Sequence, residues 1–373
     1  MKKSLLEAIS TLVGMTIGAG ILGIPYVIAQ AGFLTGIIII LLLAVAVLII
    51  NLYIGEIALR TKGKHQITGY AEKYLGKRAK TLMTVSMVLY AYGALTAYTI
   101  GEGQALSAII GLSPLLLSLI FFALMAVLVY KGLQTIKRWE FYLTFAILFI
   151  VVLLFLLSVT SIDLTNFTGF SFEHIFLPYG VILFAIVGTA AIPNLKEELK
   201  GNEHLMKKAI IYGSIIPIVA YLVFTTAVVG VTGLATTEVA TIGLGSAIGT
   251  YMSFIGNIFG AMTMATSFLL LALALCWIYS FDYKIKWIYA FLLTMVPPLV
   301  IVLLDLASFV QVLGITGAVA GGIDGLLVVL IHRKATKART RKPEYTFKGN
   351  LFIDILLISI FVLGIVYTIV TLF

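Results

Sequence analysis

The sequence predicts an all-α polytopic membrane protein, and three observations support this. Of the 373 residues, 61% are hydrophobic and only 11% are charged, whereas a soluble domain carries about 25% charged residues. The apolar residues come in runs of roughly 20, which is the length of a helix that crosses a bilayer. The basic residues all fall between alternate runs. No soluble domain is expected, so residues 1–373 form a single transmembrane domain.

The apolar runs predict eleven membrane spans. Each run is long enough to satisfy its backbone hydrogen bonds as a helix, as the bilayer core requires. We number the spans 1 to 11 in chain order, and they cover residues 8–30, 33–58, 81–110, 114–130, 141–161, 175–195, 209–233, 248–280, 287–304, 307–331 and 351–372. An odd number of spans places the two termini on opposite sides of the membrane.

The distribution of charge predicts the orientation. The 25 Lys and Arg outnumber the 16 Asp and Glu, which gives a net charge of +9. Every one of the 25 lies on the N-terminal side of the predicted membrane, so the positive-inside rule places the N-terminus in the cytoplasm and the C-terminus outside the cell. Topology therefore explains the positive charge, and no nucleic-acid partner is expected. Cys276 is the single cysteine, which excludes a disulfide framework and a cysteine-based metal site.

Two spans carry residues that weaken a helix. Span 1 contains four glycines and a proline within residues 14–25, and span 6 contains small residues followed by Ile-Pro within residues 184–193. Small residues in a span favour either close helix packing or an interruption of the helix at mid-membrane. Glycine and proline in such numbers cost more helix stability than packing requires, so we expect interruptions. Paired interruptions in two halves of a chain are typical of a transporter's midplane binding site.

The two interrupted spans lie five spans apart, and an odd offset reverses the direction of the chain. Spans 1–5 and spans 6–10 are therefore predicted to form a five-plus-five inverted repeat. The first repeat covers about residues 5–161 and the second about residues 172–332. Span 11, at residues 350–373, is an additional helix.

Three segments resemble a known family. Residues 18–26, Gly-Ala-Gly-Ile-Leu-Gly-Ile-Pro-Tyr, continue to Gln-Ala-Gly-Phe at 30–33, and this stretch resembles the aromatic (tryptophan/tyrosine) permeases and the wider amino acid/auxin permease group. Residues 97–103 and 265–269 are similar to further motifs of that group. Two positions depart from its pattern: Glu102 replaces a small residue, and Thr189 lies near the place of a histidine found in many relatives. The resemblance implies the leucine-transporter-type fold.

The resemblance also implies a function. A chain of this kind would be a multi-pass protein of the cell membrane, monomeric or a weak homo-oligomer, that imports a neutral amino acid, including aromatic or branched ones, by ion-coupled alternating access. Sodium is favoured over the proton as the coupling ion, and no other cofactor is expected. Two alternatives stay open: an intramembrane enzyme such as an acyltransferase, although no catalytic centre is visible at membrane depth, and a non-transporting amino acid sensor with the same fold.

An amino acid substrate presents a carboxylate and an ammonium group, and the helix interruptions offer partners for both. Unpaired amides at Ala19, Gly20 and Ile21 would suit the carboxylate. Carbonyls at the end of the preceding half-helix and in span 6 would suit the ammonium. Tyr98 in span 3 is a further candidate, as a carboxylate partner or an outer gate. The expected substrate-binding residues are Thr16, Ile17, Ala19, Gly20, Ile21, Tyr98, Phe184, Ala185, Gly188 and Thr189.

The resemblance implies a sodium site between span 1 and span 8. Sodium is a hard cation and prefers oxygen ligands. An adjacent Thr-Ser pair in span 8 would supply two hydroxyls, and main-chain carbonyls would complete the shell, so the expected set is Gly14, Ile17, Thr263, Thr266 and Ser267. The alternative is that these hydroxyls bond only to carbonyls of their own helix. Span 5 has no lysine that could replace the ion.

Acidic residues within predicted spans are few, and Glu102 and Asp324 have no Lys or Arg at matching depth. Such residues are functional candidates by default. Glu102, between two glycines in span 3, is a candidate proton carrier or gate. Asp324 in span 10 is interpreted as organising the local backbone, and Glu56 is expected to reach the membrane interface.

Overall fold

The structure is a computed structural model, and it describes residues 3–132, 136–172, 174–338, 341–347 and 349–372. The described chain is helical and contains no strand. Its α-helices are α1 (Lys3–Thr16), α2 (Gly20–Ala31), α3 (Phe33–Arg60), α4 (Ile67–Leu75), α5 (Lys77–Ile110), α6 (Pro114–Tyr130), α7 (Ile136–Ser158), α8 (Tyr179–Ile186), α9 (Ile192–Glu198), α10 (Met206–Thr232), α11 (Ala240–Ile248), α12 (Thr250–Trp277), α13 (Trp287–Leu303), α14 (Phe309–Thr316), α15 (Gly322–Ala338) and α16 (Leu351–Leu372).

Helix length and composition fit the predicted membrane spans. Within the described ranges, eight helical segments are long and apolar enough to cross a membrane. A ninth candidate is the pair α1 and α2, which is bent by 55°. Two further apolar helices, α6 and α13, have 17 residues each. Helices therefore lie at all the predicted spans, while the number of membrane crossings stays a prediction.

Two short helices between the spans were not predicted. Helix α4 follows span 2, and the residue after its end is Gly76, whose φ is +94°. Helix α11 precedes span 8, and the residue after its end is Gly249, whose φ is +131°. Only glycine adopts a positive φ without a steric penalty on its side chain, so a glycine at each position lets the chain leave the helix sharply.

The two ends of the bundle differ in charge. We call the end that carries the N-terminus of α1, α4 and residues 341–347 the basic end, because the lysines and arginines lie in its connecting segments and in the helix ends that flank them. The opposite end is covered by the connection between α7 and α8. The amide of Leu34 donates to the carbonyl of Gly169 at 3.3 Å, and the amide of Ser171 donates to the hydroxyl of Thr35 at 2.9 Å. This loop ties α3 to the connection that precedes α8.

Glu56, which was expected to reach the membrane interface, is buried inside the protein. Its carboxylate is fully buried at the basic end, where it accepts hydrogen bonds from Nε of Arg60 at 2.7 Å and from the amide of Phe347 at 2.8 Å. Nε2 of His332 lies 3.1 Å from the same carboxylate. A buried charge needs such partners, and the returning segment 341–347, which follows α15 in the chain, supplies one of them.

Candidate functional site

The predicted interruption of span 1 is present. Helix α1 ends at Thr16, residues 17–19 are not helical, and α2 begins at Gly20 in a direction 55° away. Pro25 lies inside α2, and the helix continues through it. The break therefore falls at the glycine-rich segment and not at the proline.

The amides at the start of α2 are only partly free. The amide of Ile21 donates to the carbonyl of Gly18 at 3.4 Å, and the amide of Leu22 donates to the carbonyl of Ala19 at 3.0 Å. Bonds of this spacing tighten a helix end and satisfy some of its unpaired groups. The prediction of an unpaired amide at Ile21 is therefore wrong. Ala19 and Ile21 are both fully buried.

Span 6 is also interrupted. Helix α8 ends at Ile186, residues 187–188 are not helical, and a single 3-10 turn covers Thr189–Ala191. Helix α9 begins directly after it, with Pro193 in its first turn. Proline is tolerated there because the first amides of a helix have no intrahelical partner. The small residues thus unwind the chain, and Ile-Pro restarts the helix.

The two broken helices touch each other beside their breaks. A Cβ atom added to Gly20 would lie 2.5 Å from Cβ of Ala185 and 2.6 Å from its Cα. A Cβ atom added to Gly188 would collide with the hydroxyl of Thr16. Both glycines allow backbones to approach closely, as small residues do in membrane helices. Close packing and interruption, which were alternatives in the sequence, therefore occur together.

Two tyrosines satisfy carbonyls at the breaks. The hydroxyl of Tyr221 in α10 lies 2.8 Å from the carbonyl oxygens of both Thr16 and Ala185. The hydroxyl of Tyr90 in α5 donates to the carbonyl of Phe184 at 3.2 Å, and the two rings stack with centroids 5.1 Å apart. Tyrosine hydroxyls therefore bond three of the carbonyls that were expected to receive a substrate ammonium group, those of Thr16, Phe184 and Ala185.

A cavity of about 740 Å³, counting its open mouth, lies beside the two breaks. Within it, the space that the centre of a water molecule can reach is about 90 Å³, which is smaller than a usual small-molecule site. Five of its lining residues belong to the predicted site: Gly14, Tyr98, Gly188, Thr189 and Ser267. The others were not predicted as site residues: Met15, Met87, Tyr90, Val187, Ala190, Leu270, Leu271 and Asp324. Of the predicted residues, Thr16, Ile17, Ala19, Gly20, Ile21, Phe184, Ala185, Thr263 and Thr266 lie outside this lining.

The cavity lies on the basic-end side of the breaks. Met87 belongs to the first half of α5 and Leu271 to the last half of α12, and α5 begins and α12 ends at the basic end. On the other side of the breaks, the contact between Gly20 and Ala185 leaves no space for a side chain. The cavity therefore lies on the side of the breaks that faces the basic end.

Spans 1, 3 and 8 meet at one point of the cavity wall. A Cβ atom added to Gly18 would lie 3.1 Å from Oγ of Ser267 and 3.2 Å from the hydroxyl oxygen of Tyr98. The hydroxyls of Ser267 and Tyr98 therefore lie beside the same glycine. The break in span 1 is thus directly beside two hydroxyls that the sequence assigned to the site.

The other two span-8 hydroxyls bond to their own helix. The hydroxyl of Thr263 donates to the carbonyl of Gly260 at 2.9 Å, and the hydroxyl of Thr266 lies 2.8 Å from the carbonyl of Met262 and 3.2 Å from that of Thr263. The sequence left open the alternative that these hydroxyls bond only to carbonyls of their own helix, and the structure shows such bonds. A donating hydroxyl keeps its lone pairs, so both oxygens can still accept a cation.

Two acidic side chains have an oxygen without a hydrogen-bond partner in the described structure, namely Oε2 of Glu102 and Oδ1 of Asp324. Glu102 is 4% exposed and does not line the cavity. Asp324 does line it. The signal for Asp324 was present in the sequence, as an acid at membrane depth without a basic partner, and interpreting it as a backbone organiser missed its place at the cavity.

Tyr90 and Tyr221 had no signal in the sequence that could identify them. The chain has 18 tyrosines, and most tyrosines of a membrane protein pack or lie at the interfaces. Their role depends on which carbonyls the folded backbone places opposite them.

Comparison with known proteins gives a consistent result. The profile of the tryptophan/tyrosine permease family matches residues 1–371. The chain is 28% identical to tyrosine-specific transport system 1 of Haemophilus influenzae, over 95% of this chain and 93% of that protein. It is 26% identical to glutamine transporter 2 of Aliivibrio fischeri, over 91% and 92%, and 26% identical to tyrosine-specific transport system 2 of Haemophilus influenzae, over 59% and 56%. These relatives are transporters and not enzymes.

Proposed function

The chain belongs to the tryptophan/tyrosine permease family, and on that premise we propose that it imports a neutral amino acid by sodium-coupled alternating access. Membership makes it a multi-pass membrane protein of an amino acid transporter family, and this rules out the intramembrane enzyme. The observation that carries the proposal further is the cavity beside the two helix breaks.

We propose that the helices form eleven spans, of which the first ten are a five-plus-five inverted repeat of the leucine-transporter type. The two breaks support this, since they occur in span 1 and span 6, at corresponding positions of the two repeats. The positive-inside rule places the basic end in the cytoplasm. The cavity then opens inward, and the contact between Gly20 and Ala185 closes the outward path.

The walls of the cavity support a substrate with a neutral side chain. Most lining side chains are apolar, among them Met15, Met87 and Leu270, and the polar ones include Tyr98 and Thr189. Apolar walls with a few placed polar groups are usual for small-molecule sites. No Lys, Arg or His is among the described lining residues, so an acidic side chain would lack a partner. Relatives named for tyrosine and glutamine transport fit a neutral substrate.

Sodium would link span 1 to span 8 in this proposal. Ser267 already lies beside Gly18, and Gly14 lines the same cavity. An ion that needs oxygens from both helices stabilises the state in which they are close, and its release frees them to separate. Ion binding would thereby be coupled to the direction in which the cavity opens.

The experiment is uptake by purified protein in proteoliposomes, with each of the twenty amino acids offered under an inward sodium gradient and, separately, under an inward proton gradient. We expect accumulation of one or more neutral amino acids that requires sodium. Binding without flux would instead support the non-transporting sensor. Accumulation driven only by protons would overturn the sodium assignment and leave the transport function intact.

A further inference from the structure

The cavity contains a carboxylate that the proposed function does not use. Asp324 is the charged residue of the described lining, and its Oδ1 atom is buried without a hydrogen-bond partner in the described structure. Buried polar atoms are nearly always hydrogen-bonded, so an unpartnered one needs an explanation. The explanation has to come from the surroundings of this carboxylate.

Asp324 lies beside the break in span 6. Gly321 precedes it by one helical turn, and residues three apart share a helix face. A Cβ atom added to Gly321 would lie 3.6 Å from Cγ2 of Val187, which is the first non-helical residue of that break. The π-helical segment Gly317–Gly321 ends directly before this turn, and π turns inside helices are frequent at functional sites. Span 10 therefore presents its acid to the break.

The neighbouring hydroxyls have other acceptors for their protons. Ser86 lies near the Asp324 side chain, and its hydroxyl donates its one proton to the carbonyl of Ala320 at 2.9 Å. Tyr90, on the same cavity wall, donates to the carbonyl of Phe184. The described structure shows no ion pair that involves Asp324. Because Asp324 lines the cavity, a donor that enters the cavity can approach its carboxylate.

Most of the carbonyls that were expected to bind a substrate ammonium already have a hydroxyl beside them. Tyr221 shares its one proton between the carbonyls of Thr16 and Ala185, and Tyr90 donates to that of Phe184. Oδ1 of Asp324 has no partner in the described structure, and no Lys, Arg or His is among the described residues that line the cavity. A charge-assisted hydrogen bond is stronger than a neutral one, and its strength increases in surroundings of low dielectric constant.

We propose that Asp324 binds the α-ammonium group of the substrate while the cavity is open to the basic end. This inference rests on the proposed function and deepens it, because it makes a protonated primary amine a requirement for binding from that side. The ammonium donates to the Asp324 carboxylate, and no protein cation competes for that carboxylate within the described lining.

The test compares ligands that differ only in the amino group. L-Tyrosine is paired with 3-(4-hydroxyphenyl)propanoate and L-glutamine with 4-carbamoylbutanoate, and binding to purified full-length protein is measured by calorimetry. In the wild type we expect each amino acid to bind about 10- to 100-fold more tightly than its partner without the amine, the usual effect of one hydrogen bond to a charged group. In Asp324→Asn this preference should fall below about threefold.

Binding of the ligand without the amine shows whether the Asp324→Asn protein is still folded. We expect it to bind Asp324→Asn as well as it binds the wild type, because it makes no contact that the substitution removes. Asp324→Glu should restore part of the preference for the amine. Asp354→Asn is the matched control, since Asp354 is also buried but bonds to Tyr53 and Arg333 away from the cavity. The Asp354→Asn protein should prefer the ligand with the amine as strongly as the wild type does.

Two results would overturn the inference while the proposed function stands. One is an undiminished preference for the amine in Asp324→Asn. The other is an equal loss of both ligands by a variant that melts like the wild type, which would make Asp324 a structural part of the cavity. If the wild type binds none of the twenty amino acids, the proposed function itself fails, and the inference fails with it.

Discussion

The hydroxyl of Tyr221 lies 2.8 Å from the carbonyl oxygen of Thr16, where α1 ends. It lies at the same distance from the carbonyl of Ala185, one residue before α8 ends. Carbonyls at the end of a helix have no partner within it, and here one buried side chain from a third helix serves both broken helices. Tyr221 thus holds the two breaks together on the side where they touch.

Removing that hydroxyl should destabilise the protein in this conformation. Tyr221→Phe leaves two buried carbonyls without a donor, which we expect to lower the free energy of unfolding by about 1–3 kcal/mol. The measurement is thermal unfolding in detergent. Tyr212→Phe is the control, because Tyr212 lies on the same helix and is exposed. Equal melting temperatures for the two variants would contradict the role of Tyr221.

A methyl group at Gly20 should force the broken helices apart. The added carbon would lie 2.5 Å from Cβ of Ala185, and overpacking of this kind typically costs about 1–3 kcal/mol. We expect Gly20→Ala to lower the melting temperature and to slow amino acid uptake. Gly314→Ala is the matched control, since its added carbon would meet only Cγ2 of Val181, at 3.8 Å. If Gly20→Ala melts and transports like Gly314→Ala, the close contact is not needed.

The double variant Thr266→Ala, Ser267→Ala tests the sodium site. Loss of two oxygen ligands should raise the sodium concentration for half-maximal amino acid binding by about tenfold or more, since each bond to a charged group contributes about 1.5–3 kcal/mol. The titration is done at constant ionic strength. Thr226→Ala is the control, because Thr226 bonds to the carbonyl of Leu222 in its own helix and should leave the sodium requirement unchanged. A wild type that binds without sodium would remove the premise of this site.

Glu102 is the residue that would carry the coupling ion if that ion is the proton and not sodium. Its carboxylate is buried and has an unpartnered oxygen in the described structure, and a proton can neutralise such a group. If the proton is the coupling ion, Glu102→Gln should keep amino acid exchange and lose accumulation driven by a pH gradient. If sodium is the coupling ion, as we propose, the variant should keep sodium-driven accumulation. Both outcomes are measured in the same proteoliposomes.

Local composition predicted much of the fold, because helices and their interruptions depend on nearby residues. Apolar runs located the spans, and the glycines around residue 18 located the break in span 1. The details of the site depend on distant contacts. Nothing near Tyr221 in the sequence indicates that it will face Thr16 and Ala185, and the approach of Gly20 to Ala185 joins residues that are far apart in the chain. Asp324 could be recognised as unusual, but its position beside Val187 required the packed helices.

The proposed transport mechanism requires that the substrate occupies the cavity beside the two breaks. Thr189 lines that cavity, and Cys276 is the single cysteine and is buried, so Thr189→Cys in a Cys276→Ala background carries one reporter thiol. The measurement is the rate at which a membrane-impermeant maleimide labels this thiol in inside-out vesicles, with and without the transported amino acid. Lys207→Cys, at an exposed position of α10, is the control. We predict that the amino acid slows labelling at position 189 and leaves position 207 unchanged. If labelling at position 189 is as fast with saturating amino acid as without it, the substrate does not occupy this cavity.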